Sequence, residues 1–586
     1  MPDLSPPPPH NRKGFTFWLI FLSICISLFV SALELTTVST ALPTIASSLR
    51  LSDSAFVWIG TTYSLASTAF LPLSGGLAEI FGRQHALLLS IGLFAAGSAL
   101  CGAAGSGYVL IAGRTVQGLG GGGIRSLAVI ILADLVTLEE RGIYGILTGL
   151  TWSIACVVGP IIGGDLAARG AWRWLFYLNL PIAGLAVIFV VLFLRLPTPL
   201  GTFRAKIGRL DLIGNFIIIA STTCCTLALT WGGTSASWAS FQVLIPLWCG
   251  LLGLAFFLLY EATVAVDPLV RSLPLITSSL PVPGAHAQLT QVPFVLMCNR
   301  TSLSGYVQAF VVGLVTLCIV YFLPVYFQAC HPVTALRSAL LGLGVAALAP
   351  AAIIAGVLVS KTGRYRPQMW AGWVIVMVGL GLLSTVQATT PIWRTVLWGG
   401  VVGVGLGFEY STTMFPVQAP LPVAQNARAL AFLTFVGSFA GVWGLTIGGT
   451  VLDNQLQRGL PSAVTSNISR SGSSMLAYAL IPRIPTLPLE LRLEVQDAFA
   501  GALGMVWLVL VAIAGVGLLA SLFMKGLPLH AELDERWALV EMDVRNERDA
   551  GRRGRVLPLR FEMVSVPETV VKVDFPARDV GGADKV

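Results

Sequence analysis

Four ionisable side chains stand inside long apolar runs, where charge is costly: Glu34, Arg114, Arg125 and Glu409. A charge near the centre of a bilayer costs ~2.5–3.5 kcal/mol on insertion scales, so such residues mark ion or substrate routes by default. A carboxyl group in a low-dielectric cavity favours its neutral form and can load and release a proton near physiological pH. A neighbouring guanidinium biases that equilibrium and can be displaced by substrate. Glu34, Arg114, Gln117 and Glu409 form the candidate route for protons and substrate. The plainer alternative for Glu34 is an ion pair that only locks helices together. Glu409 and Arg125 fit either description equally.

Three glycine-rich stretches accompany these charges. Residues 75–83, GGLAEIFGR, set Gly75, Glu79, Gly82 and Arg83 around a turn between two apolar runs. The small residues let helices approach closely, and Glu79 and Arg83 can make charge contacts across the turn. Residues 114–123, RTVQGLGGGG, place Arg114 and Gln117 beside a glycine face. Residues 157–164, VVGPIIGG, hold Gly159, Pro160, Gly163 and Gly164. There the proline removes one backbone hydrogen bond, and the glycines permit bending and close packing.

The elements that must carry these residues are membrane helices. Of 586 residues, 55% are hydrophobic and 11% charged, against about 25% charged in soluble globular chains. This composition excludes a disordered chain, a coiled coil and an ordinary soluble enzyme. The runs do not alternate in ~10-residue segments, as a transmembrane β-barrel would. Apolar runs fall near 15–38, 56–77, 86–104, 107–131, 143–165, 174–194, 212–231, 241–260, 303–326, 338–359, 369–387, 393–416, 428–451 and 504–524. The fold class is an all-α polytopic membrane protein with about 14 transmembrane helices. An even count puts both termini on one side. Loops on that side hold Arg83, Arg141, Arg195, Lys206, Arg300, Lys361 and Arg366, whereas the opposite loops hold few basic residues, among them Arg169, Arg337 and Arg394. Both termini are therefore expected in the cytoplasm. The long segment 452–503 then faces outward and contains a glycosylation sequon at Asn467. His10, His85, His286, His331 and His530 are scattered, and the cysteines show no metal-ligand spacing. No metal site and no cofactor is expected, and no ATP-binding P-loop sequence occurs. The excess of basic residues forms no stripe on a soluble domain, so no nucleic-acid partner is expected.

With these motifs in order, the chain resembles the major facilitator superfamily. GGLAEIFGR is similar to that family's motif A, RTVQGLGGG to motif B and VVGPIIGG to the antiporter motif C. Leu33 to Pro43, LELTTVSTALP, resembles the first span of the fourteen-span drug:proton antiporter branch, and YFLPVYFQ at 321–328 and LPLH at 527–530 resemble its fungal members. The resemblance runs from about Phe15 to Trp537. It implies a major facilitator fold with helices arranged 6+2+6 and alternating access about a midplane site. It further implies Glu34 and Arg114 on the proton and substrate route. Gly75, Glu79, Gly82 and Arg83 would form a cytoplasmic gate, and Gly159, Pro160, Gly163 and Gly164 would govern bending of the fifth helix. The sequence departs from the pattern in several places. Glu34 and Glu79 stand where aspartate is usual, Ile80 where a basic residue is usual, Ala155 at the leading glycine of motif C and Gly437 where fungal members carry arginine.

The expected organisation follows. Residues 1–14 form a Pro-rich cytoplasmic tail, 15–195 an N-terminal six-helix bundle and 196–302 a linker with two extra helices. Residues 303–529 form the C-terminal bundle, and 530–586 a polar cytoplasmic tail with a basic cluster at Arg552, Arg553, Arg555 and Arg560. Residues 271–292 interrupt the family pattern. Removing them leaves DPLVPFVLMCNRTS, which fits it, so the segment reads as a retained-intron insert; sequencing the transcript decides this. The expected activity is proton-coupled export of amphipathic organic compounds such as drugs, toxins or secondary metabolites. The partners are then small organic substrates, protons and the lipid bilayer, and the chain is expected to act as a monomer. The plasma membrane is the expected location, with the vacuolar membrane as the alternative. Competing readings are a proton symporter for a defined solute, such as an iron–siderophore complex, and a polytopic membrane enzyme. The second lacks any clustered catalytic constellation.

Overall fold

The computed structural model describes residues 14–49, 53–196, 198–199, 202, 206–207, 210–233, 236–263, 299–331, 333–422, 425–461 and 480–529. The insert read at 271–292, Asn467 and the C-terminal basic cluster lie outside the described residues.

The first half contains α1 (Phe15–Ser48), α2 (Asp53–Phe81), α3 (Arg83–Gly102), α4 (Gly107–Leu135), α5 (Leu138–Ala168), α6 (Arg173–Tyr177) and α7 (Asn179–Phe193). Two helices follow, α8 (Leu212–Trp231) and α9 (Phe241–Thr263). The second half contains α10 (Arg300–Cys330), α11 (Ala335–Gly342), α12 (Leu348–Thr362), α13 (Arg366–Ser384), α14 (Ile392–Thr412), α15 (Met414–Gln418), α16 (Asn426–Gly459) and α17 (Leu489–Leu522). Side chains mark several starts. Ser106, Asp211 and Asn299 accept backbone N–H bonds at the heads of α4, α8 and α10, each satisfying a donor the helix cannot. Gly82, with φ +92°, makes the abrupt turn from α2 into α3, a conformation that a side chain would strain.

Among the described residues, twelve helical segments are long and apolar enough to cross a membrane. The two remaining apolar runs are also helical, as α5 and α14. Five glycines, Arg394 and Glu409 dilute the hydropathy of α14. The connection expected over 452–503 is shorter than that. Helix α16 continues to Gly459 and α17 starts at Leu489. Each has 34 residues, which at 1.5 Å per residue is about 51 Å, well beyond the ~30 Å hydrocarbon layer. Polar residues such as Asp453, Arg458 and Arg492 therefore lie on helical extensions, not in a loop.

Each half has its own core. In the first, Ile20, Ile24, Tyr63, Phe94, Ile124, Ile131 and Val190 pack together from α1, α2, α3, α4 and α7. In the second, Val315, Phe322, Trp373, Leu406, Leu456, Phe499 and Trp507 join α10, α13, α14, α16 and α17. The glycine run of α4 brings helices to backbone contact. A Cβ on Gly120 would lie 2.3 Å from the Phe94 nitrogen, and one on Gly122 2.3 Å from the Ser67 oxygen. Helices α8 and α9 attach from the side: Ile218, Cys225 and Phe257 pack with Leu71 of α2 and with Phe432, Phe435 and Phe439 of α16. The outer face of α9 carries Phe241, Ile245, Trp248, Leu252, Phe256 and Leu259, each at least 57% exposed. Their spacing of three and four residues is one continuous helical stripe, a face made for lipid.

Both ends of the helical chain emerge at one end of the bundle. Phe17 meets Tyr144 near the start of α5 with ring centroids 5.1 Å apart. Met524, just past α17, clusters with Leu138 at the start of α5 and Tyr365 before α13.

Candidate functional site

Glu34 is fully buried, with 0% exposure. Its Oε1 accepts from Arg114 Nη1 in an ion pair, and its Oε2 accepts from the Asn179 amide. Arg114 Nη1 also donates to Gln117 Oε1 at 2.9 Å, and Gln117 Nε2 donates to Ser98 Oγ at 2.8 Å. Arg114 Nε reaches the Ile59 carbonyl at 3.3 Å, while the guanidinium stacks over Tyr63, 4.7 Å from the ring centroid. The Tyr63 hydroxyl in turn meets Ser31 Oγ at 3.1 Å. The structure thus brings Glu34, Arg114 and Gln117 together, and a network from α1, α2, α3, α4 and α7 encloses them. Tyr63, Ser98 and Asn179 are not singled out by sequence. Polar residues are frequent in these spans, and nothing in their spacing says which ones face Glu34.

Motif A is divided between two contacts. Arg83 Nε bonds Asp134 Oδ2 at 2.9 Å and Arg83 Nη1 donates to the Ala78 carbonyl at 3.0 Å, tying the head of α3 to the tail of α4. Glu79 does not bridge the turn to Arg83 as expected. Its Oε2 accepts from Arg428 Nε and Nη2 on α16, both at 2.8 Å. The α2–α3 turn points the two side chains in different directions, so Glu79 joins the two halves and Arg83 braces one of them. At the same end Gly75 permits the approach of α16: a Cβ there would lie 2.8 Å from the Ala431 Cβ. Arg141 Nη1 adds a bond to Gln418 Oε1 at 2.9 Å, again between halves.

Motif C packs on the first helix beside Glu34. Ala155 is fully buried against Ala32 and Leu33. A Cβ on Gly159 would fall 2.0 Å from Thr36 Oγ1 and 2.9 Å from Thr36 Cβ. Pro160 lies in the same helix and Gly163 is buried, but Gly164 faces open space, and a Cβ added there would meet nothing within 4 Å. The four residues are therefore not equivalent. Gly159→Val is expected to lower the stability of the purified protein by about 1–3 kcal/mol through overpacking. Gly164→Ala should stay within ~0.5 kcal/mol. Detergent-induced unfolding of the two variants reads the difference, and equal effects would show that α5 does not depend on this contact.

Glu409 lies in the second half, away from Glu34. It is 0% exposed, and neither carboxyl oxygen has a hydrogen-bond partner among the described residues. The Trp373 backbone is a polar neighbour but does not meet hydrogen-bond geometry. Gly372 of α13 leaves room for it: a Cβ there would lie 2.5 Å from Glu409 Oε1. Arg125 is in neither group. It reaches across from α4 to Ser438 Oγ on α16 at 2.7 Å.

Two helical halves, charged groups buried within them, and an ion pair and a hydrogen bond that tie the halves at one end mark a polytopic membrane transporter. The profile of the Major Facilitator Superfamily matches residues 24–445, and the chain belongs to that family. It is 35% identical over 557 residues to the MFS-type efflux pump LUC4 of a Fusarium species, covering 94% of each chain. It is 36% identical over 543 residues to the efflux pump FUS6 of Gibberella fujikuroi, covering 92% of this chain and 94% of that one. Among solved structures, the human organic anion transporter MFSD10 aligns with a TM-score of 0.51 at 14% identity, covering 86% of this chain and 100% of that one. The proton:xylose symporter XylE aligns with a TM-score of 0.51 at 12% identity, covering 89% and 99%. These two likenesses support the fold.

Proposed function

We propose that the chain exports amphipathic organic compounds in exchange for protons, by alternating access between its two halves. Export is supported by the relatives named as efflux pumps. The observation that carries proton exchange is Glu409, a fully enclosed carboxyl whose oxygens lack hydrogen bonds among the described residues. An ionised carboxylate in such surroundings would be prohibitively costly, so this conformation tolerates the neutral acid. Opening that wall of the bundle to water on the other side of the cycle lets the proton leave. Glu34, paired with Arg114 in this conformation, is the second candidate carrier. The basic loops support a cytoplasmic location for the tied end of the bundle, and in that orientation the conformation is closed toward the cell interior. Fourteen spans, 6+2+6, and a plasma-membrane location complete the reading.

The test uses energised cells lacking their own exporters. Efflux of a panel of fluorescent amphiphiles of differing charge is measured with and without a protonophore. Efflux abolished by the protonophore is the expected result. In Glu409→Gln, which keeps the shape and fixes a neutral group, energised efflux should fall to the vector-control level while substrate exchange without a gradient persists. Efflux that ignores the protonophore, or survives in Glu409→Gln, overturns proton exchange through this residue.

A further inference from the structure

Arg125 is a cation placed between the halves, and among the described residues no carboxylate pairs with it. Three other arginines of the first half make ion pairs: Arg83 with Asp134, Arg114 with Glu34, and Arg169 with Asp165. Among the described residues, no Asp or Glu forms an ion pair with Arg125. What it meets is neutral. Its Nη2 donates to Ser438 Oγ at 2.7 Å and its guanidinium carbon lies 5.2 Å from the Trp152 ring centroid, with the uncharged phenols of Tyr410 and Tyr63 in the same neighbourhood. These neighbours come from both halves: Tyr63 on α2, Trp152 on α5, Tyr410 on α14 and Ser438 on α16. A guanidinium has five N–H donors, and the Ser438 hydroxyl takes one of them.

Its depth is that of a binding site. Along α4, Arg125 is nine residues from Asp134, about 14 Å at 1.5 Å per residue. On α16, Ser438 is ten residues from Arg428, about 15 Å. The pair therefore sits one layer inward from the ion contacts at the tied end, near the middle of the spans. Arg125 and Ser438 are half-buried, and Tyr410 is 60% exposed, so the group borders space between the halves.

We propose that Arg125 selects the charge of the transported compound: the substrates are amphipathic organic acids whose carboxylate takes the Arg125 fork, with their apolar body against Trp152 and Tyr410. A lone positive charge walled by low-dielectric protein concentrates anions and repels organic cations. The planar fork matches a carboxylate with two parallel bonds, a fit that a serine hydroxyl cannot supply. Binding replaces Ser438 as the acceptor, so the substrate takes over a bond that otherwise joins the halves. This assignment rests on the export reading and names the class of compound exported.

The experiment measures binding, which needs neither direction nor energy. Full-length protein in lipid nanodiscs is titrated at neutral pH with 1-pyrenebutyrate and, separately, with 1-pyrenebutanol, its uncharged counterpart. Energy transfer from protein tryptophans to pyrene reports occupancy. The wild-type chain should bind the acid about tenfold or more tighter than the alcohol. Arg125→Gln should bring the two affinities together, mainly by weakening the acid, and Arg125→Lys should retain part of the preference. Equal binding of acid and alcohol by the wild type overturns the proposal, and so does an unchanged preference in Arg125→Gln. If Arg125→Gln fails to fold, the wild-type ratio and Arg125→Lys still decide. Failure of the export reading shows up separately, as absence of energised efflux of any probe while the binding ratio stands.

Discussion

Arg114→Gln and Glu34→Gln are each expected to destabilise the first half by about 3–5 kcal/mol, because each strands a charged partner without its counter-charge in a dry interior. The double variant should lose less than the sum, by the coupling energy of the pair. Glu34 is 0% exposed and Arg114 1% exposed, so the surviving charge of a single variant has no water to turn to. The remaining bonds do not compensate. Without Arg114, Glu34 keeps the Asn179 amide, and without Glu34, Arg114 keeps the Gln117 amide oxygen, the Ile59 carbonyl and the Tyr63 face. Detergent-induced unfolding of the four proteins forms a double-mutant cycle, with a coupling of ~1–3 kcal/mol expected for groups in one network. Single variants within ~1 kcal/mol of the wild type would mean that water reaches the pair and that its role in holding α1 against α4 is minor. The same result bears on transport. Loss of efflux in Glu34→Gln alone would mix folding with coupling, which is why Glu409→Gln is the cleaner probe of the proton.

Reversing one charge of the Glu79–Arg428 contact should open the tied end, and reversing both should close it again. The two side chains are 13% and 10% exposed and 2.8 Å apart, between the limits of a wet surface pair and a buried one. In Arg428→Glu two carboxylates face each other where α2 and α16 pack closely at Gly75 and Ala431. A cysteine introduced at Ala427, buried in the contact with Ile130 and Ala133, reports the opening through its rate of maleimide labelling, after subtraction of the parent protein's labelling. A rise of about tenfold is expected in Arg428→Glu, corresponding to 1.4 kcal/mol of shifted equilibrium. The combination Glu79→Arg with Arg428→Glu should return to the slow rate. Unchanged labelling in the single variant would assign the closure to the apolar contact and to Arg141–Gln418 instead.

The legible parts of the sequence were those with strong local signals. Apolar runs located the helices, because membrane spans must satisfy their backbone internally and show it in composition. The buried pair of Glu34 and Arg114 was legible because charge inside such a run demands a partner. Two kinds of feature were not. Partners chosen by tertiary packing, such as Asn179 for Glu34 or Arg428 for Glu79, lie 145 and 349 residues away in the chain, and sequence spacing carries no trace of them. The ends of α16 and α17 are also not legible, since polar residues end an apolar run without ending a helix. Glu79 shows both effects: its neighbour Arg83 looked like a partner, but the turn at Gly82 sends Arg83 to Asp134.

The lipid-facing stripe of α9 also fixes a length. From Phe241 to Leu259 it covers about 27 Å along the helix axis, close to the thickness of a thin bilayer such as that of the endoplasmic reticulum. In a thicker, sterol-rich membrane α9 stands more upright or the surrounding lipid thins around it, at a modest cost per ångström of mismatch. Helix α9 packs on α8, and α8 rests against α2 and α16, the two helices that carry Glu79 and Arg428. Strain on α9 from a mismatched bilayer therefore reaches those helices through α8, and the lipid around this transporter is expected to weigh on how readily it turns.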